Sequence, residues 1–122
     1  MTNQNQQKPI IGFHSCFGSQ KTLRTYTDAV VKHMAPRGVN MAVMEINLGY
    51  RFKCHPELSE GDIDAASLRA ACDEMRAAGV EPVILFNCFG HQGWSSRNSL
   101  LRAFTEIDEA PWLDNATAFN HE

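Results

Sequence analysis

The chain has 122 residues, 11 basic and 14 acidic side chains and a net charge of −3. That is room for one modest domain with a hydrophobic core, and there is no basic footprint for nucleic acid or an anionic membrane. Apolar residues at 43% and charged residues at 20% mark a globular chain rather than a disordered one.

The first eight residues are Gln- and Asn-rich, offer nothing to bury and are expected to be disordered. They lack an apolar core, so they read as neither a signal peptide nor an anchor. No later apolar run approaches the roughly 20 residues of a membrane span. Four widely spaced cysteines (Cys16, Cys54, Cys72, Cys88), none in a CxxC pair, suit free thiols in a reducing compartment. A cytoplasmic location is the expectation.

Pro9 to His14 (PIIGFH) is a short apolar run predicted as a first buried strand, followed by a loop, SCFGS. From Gln20 to Met34, apolar Leu23, Tyr26, Val30 and Met34 recur at spacings of three and four. This is the stripe of an amphipathic helix, stopped by Pro36-Arg37-Gly38. Val39 to Asn47 is nearly continuous in apolar residues and is predicted as a second strand covered on both faces, ending in Glu45 and Asn47. The connector LGYRFKCHPELSEG is long for a strand-to-helix loop. Asp62 is the expected N-cap of a second helix reaching Ala78, with Leu68, Ala71, Cys72 and Met75 as its stripe and Gly79 as its stop.

The third predicted strand, in PVILFNCFGHQGW, runs from an apolar stretch into Asn87, Cys88, His91 and Trp94. Leu100, Leu101, Phe104 and Ile107 then mark a third helix, and residues 109–122 read as an irregular tail. Strand and helix alternate three times. The expected fold class is α/β, with parallel strands joined by right-handed crossovers and ligand chemistry at the C-terminal strand ends.

Those strand ends carry the candidate site. A carboxylate such as Glu45 at the end of a buried strand costs free energy unless it meets a ligand or a partner, and Arg51 is the suggested partner. His14 and Asn87 are placed to line a pocket or to pack. His91 sits in a Gly-bounded loop, where it would bind ligand or close its own turn. Trp94 has a face suited to a sugar ring or to packing, and Tyr50 and Phe52 read as packing. His14, Cys16, Cys54, His55, Cys88 and His91 could converge as metal ligands, but only Cys88-x-x-His91 is locally paired, so no metal is expected. Cys16 and Cys88 have no evident His–carboxylate relay for nucleophilic work.

Three segments in order resemble the start of a glycosidase (β/α)8 barrel, that of family 20 β-N-acetylhexosaminidases and their relatives. Ile11-Gly12-Phe13-His14-Ser15-Cys16 is similar to a first-strand RGxHxD pattern, keeping the Gly and His but not the Arg and Asp. VNMAVMEINLGYRFKCHPEL resembles a relatives' segment, GVNTLVLEVNYRFxxHPEL, with Glu45, Asn47, Tyr50, Arg51 and Phe52 in matching order. The third, ILFNCFGHQGW, is similar to FNCLGHQSW, with Gly90 and His91 matching.

The resemblance implies a partial barrel over residues 9–108, three of the eight units of a fold that takes about 250 residues. It implies carbohydrate-active, glycoside hydrolase-like function with His14, Glu45, Asn47, Asn87, His91 and Trp94 binding substrate and no cofactor. The family's catalytic Asp-Glu pair follows a fourth strand, which this sequence does not match. Asp108-Glu109 follows a helix and reads as solvated charge. Catalysis by this chain alone is therefore not expected. The alternative is a non-catalytic fragment or a small α/β ligand-binding module. An open sheet edge also suggests self-association or a completing partner segment.

Overall fold

The computed structural model describes residues 8–86 and residue 104. Its order is β1 (Gly12–Cys16), α1 (Gln20–Ala29), β2 (Met41–Glu45), α2 (Ala65–Ala77) and β3 (Glu81–Leu85), with short turns between. The three strands are parallel in the order β1-β2-β3. The α/β class and parallel pairing follow the sequence expectation. The third helix and the irregular tail lie outside the described residues.

Both helices pack on one face of the sheet. Leu23, Tyr26 and Val30 of the first crossover, Ala71 and Met75 of α2, and Ala42 and Met44 of β2 share one buried cluster. Ala42 and Met44 are fully buried, whereas Met41, Val43 and Glu45, which alternate with them, are only half-buried. Among the described residues helices cover only the face of Ala42 and Met44, where cover on both faces was expected, and the apolar run also supplies the other face.

Element ends differ from the sequence reading for local reasons. β1 starts at Gly12 rather than Pro9 because the Asn40 carboxamide takes the preceding backbone. Asn40 Oδ1 accepts from the Ile11 N–H at 2.9 Å, and Nδ2 donates to the Pro9 carbonyl at 2.8 Å. β1 also continues through Ser15 and Cys16, which had read as loop. The first helix is α-helical only to Ala29; Val30–Met34 form a π turn, then Ala35–Arg37 a 3-10 turn. Pro36 cannot donate a hydrogen bond, and its ring would crowd the carbonyl four residues back, so the ladder widens before it. Gly38 ends the segment at φ +94, a conformation costly for residues with a Cβ.

The N-cap of α2 is Asp64, in a reciprocal capping box with Ser67, and not Asp62. Ile63 between them is fully buried and bridges to Tyr50, so the chain stays extended past Asp62. Asp62 serves α1 instead, its Oδ1 accepting from the Gln20 N–H at 2.6 Å. Cys72, expected in the core, is half-buried at its edge. Arg24 joins the two helices on the outside, with Nη1 and Nη2 2.7 and 2.8 Å from the two Glu74 carboxylate oxygens.

Tyr26 ties α1 to the sheet, its hydroxyl donating to the carbonyls of Phe13 at 3.1 Å and Val43 at 3.3 Å. Burial pushes its phenol pKa up to about 12. A raised folded pKa gives stability that is whole below the unfolded value, about 10, and is lost as pH climbs through the folded one. Denaturant midpoints should therefore fall between about pH 10 and 12 in wild type. Tyr26→Phe should lose about 1 kcal/mol at neutral pH and show a shallower alkaline decline.

Candidate functional site

Side chains that pair across a parallel ladder share a face. The register sets His14 beside Val43 and Val83, and Cys16 beside Glu45 and Leu85. Because Ala42 and Met44 face the helices, His14, Cys16 and Glu45 occupy the opposite face, toward the C-terminal ends of β1 and β2. His14 Nε2 lies 2.9 Å from Glu45 Oε2, and Asn47 Nδ2 donates to Glu45 Oε1 at 2.9 Å.

The Glu45 side chain is only 17% exposed and that of His14 is 54% exposed. A largely buried carboxylate is stable only with such donors. An ionised carboxylate can only accept, so the His14 Nε2 carries the proton and the Asn47 amide nitrogen faces Glu45. In neutral His14 this leaves Nδ1 an acceptor. The ion pair between Glu45 and Arg51 suggested by sequence is replaced by these contacts. The charge of Arg51 instead contributes to lowering the Asp64 pKa, behind the larger effect of the Ser67 hydrogen bonds.

Cys16 is the residue that sequence reasoning placed wrongly, in a loop. Burial, and then the negative charge of Glu45, push its thiol pKa up, so it stands in the site as a neutral thiol and not as a nucleophilic thiolate. Alternation from His14 two residues earlier was the available signal. Among the described residues no three His, Cys, Asp or Glu side chains group as metal ligands would.

The loops beyond the strands meet backbone to backbone. A Cβ on Gly49 would lie 2.5 Å from the Gly18 Cα, and one on Gly61 would lie 2.0 Å from the Gly18 carbonyl oxygen and 2.4 Å from that of Gly49. This junction joins the loops after β1 and β2 and holds the Glu45–Asn47 turn beside the end of β1. An aromatic run borders it, Tyr50 edge-on to Phe52 at 5.4 Å and Phe52 edge-on to Phe86 at 6.1 Å, in keeping with packing roles. Further out, His55 meets the Phe104 ring edge-on at 5.2 Å.

Of the six residues expected in the site, the structure brings three together, His14, Glu45 and Asn47. Asn87, His91 and Trp94 lie outside the described residues. Among the described residues no helix is long and apolar enough to cross a membrane. Neither a family model nor a curated protein matches the chain.

Proposed function

We propose that this chain is the first part of a glycoside hydrolase-like (β/α) barrel, and that its His14–Glu45–Asn47 cluster binds carbohydrate. The observation that carries the reading is the hydrogen-bond polarity of the cluster. Its His14 and Asn47 donors are directed at Glu45, so its chemistry toward a third party is weighted to acceptors: carboxylate oxygens, an amide oxygen and an imidazole nitrogen. An acceptor array suits a ligand rich in O–H donors, which is what a neutral sugar is.

Two features support the barrel reading. Both crossover helices lie on one face without a reversal of strand order among the described residues, as in a singly wound barrel. The cluster sits at C-terminal strand ends on the face a barrel would enclose. The resemblance to family 20 glycosidases supplies the substrate class. In this reading His14, Glu45, Asn47, Asn87, His91 and Trp94 form a supporting wall of the sugar site. The acid that protonates a leaving group belongs to another segment.

Calorimetric titration of the 122-residue chain with neutral methyl glycosides should show weak, saturable binding that His14→Ala removes. Nitrophenyl glycosides should bind without being cleaved. Binding of simple alkylamines with no response to any glycoside would favour a cation-binding module, since the same acceptors suit an ammonium group.

A further inference from the structure

We propose that Asn47 is a positioning residue, whose left-handed backbone turns its carboxamide back onto Glu45 and fixes the carboxylate in the orientation that meets ligand. The inference rests on the carbohydrate-binding reading of the cluster.

Asn47 has φ +37, and the other positive φ values among the described residues belong to glycines, Gly38 and Gly79. A position that needed only the turn would be served best by glycine, which reaches that region without a clash. Asparagine tolerates it less well but brings a side chain able to bond locally. Here that side chain reaches the residue two positions back, 2.9 Å from Glu45 Oε1. With His14 on Oε2, each carboxylate oxygen receives a donor from a different element, so the group cannot pivot about a single contact.

The turn itself is fixed from its far side. The Gly49 N–H donates to the Ile46 carbonyl at 2.8 Å, and the Gly49 backbone is pressed against Gly18. Asn47 therefore couples a rigid loop junction to the orientation of Glu45.

Asn47→Gly keeps the turn and removes the donor. The variant should still unfold cooperatively in urea, the relief at φ +37 offsetting part of the lost hydrogen bond, yet bind methyl glycosides about tenfold more weakly, the scale of one hydrogen bond to a charged group. The Glu45 carboxyl, followed by carbon-13 NMR, should titrate at higher pH once a donor to its ionised form is gone. Asn47→Asp, nearly isosteric, should move that titration the same way by setting a second carboxylate against the first. An unchanged Glu45 titration in both variants would overturn the inference and leave Asn47 a turn residue. Should wild type bind no glycoside, the carbohydrate reading falls and the titration alone decides: an upward shift sustains the positioning role, and no shift ends it.

Discussion

Gly61→Ala should be the most damaging alanine substitution among the described glycines, lowering stability by about 1–3 kcal/mol or more, the range for forced overpacking. The added methyl would meet the Gly18 carbonyl oxygen at 2.0 Å, the Gly49 carbonyl oxygen at 2.4 Å and the Gly49 Cα at 2.7 Å. All three are backbone atoms, so no rotamer change relieves the clash. Relief requires separating the two ends of the loop between β2 and α2 from each other and from the loop after β1. The two ends are also tied by hydrogen bonds, with the Glu60 N–H donating to the Leu48 carbonyl at 2.7 Å and the Ile63 N–H to the Gly49 carbonyl at 3.1 Å.

Gly18→Ala is the internal control. Its Cβ would come no closer than 3.9 Å to the Gly49 Cα, an ordinary contact. Urea midpoints should put Gly61→Ala far below wild type, Gly49→Ala below it as well, and Gly18→Ala close to it. A Gly61→Ala protein as stable as Gly18→Ala would show that the loops after β1 and β2 are not packed together as described.

The second large effect is expected at Glu45. Glu45→Ala removes the group on which both His14 and Asn47 converge, and should weaken glycoside binding by about 10- to 100-fold, the scale of hydrogen bonds to a charged group. Glu45→Gln keeps the shape and an acceptor for Asn47 but replaces the acceptor facing His14 with an amide or forces a change of tautomer. Its binding should fall between wild type and Glu45→Ala. Circular dichroism should show both variants folded, because the buried cluster of Leu23, Val30, Ala42, Met44 and Met75 lies on the other face of the sheet. Unchanged glycoside affinity in Glu45→Ala would remove this carboxylate from the site.

The type of each described strand and α-helix was legible in the sequence because apolar spacing reports which face is buried, and burial decides type. The stripe of Leu23, Tyr26 and Val30 and the run through Ala42 and Met44 are the core as found. Boundaries were less legible because side chains decided them. The Asn40 carboxamide occupies the backbone before β1, and burial of Ile63 delays α2 to its Asp64 cap. Both Asp62 and Asp64 are good capping residues, and only tertiary packing assigns one to each helix.

The site was legible in part for the same reason. His14, Glu45 and Asn47 could be placed near strand ends from the sequence, but which carboxylate contact formed depended on register. Pairing Cys16 with Glu45 across the ladder sets His14 one step back on the same face, within 2.9 Å of the carboxylate. Arg51 follows the turn instead, where its charge reaches Asp64. Met41 and Val43 are as apolar as Ala42 and Met44, so the pattern along β2 does not tell which of its faces the two described helices cover.

The most direct test of the account is a two-dimensional amide NMR titration of the 122-residue chain with a neutral methyl glycoside. Saturable shifts should concentrate in residues 14–18 and 43–50, with the outward faces of α1 and α2 unmoved. Shifts confined to the helices, or a spectrum unchanged by every glycoside tried, would contradict it.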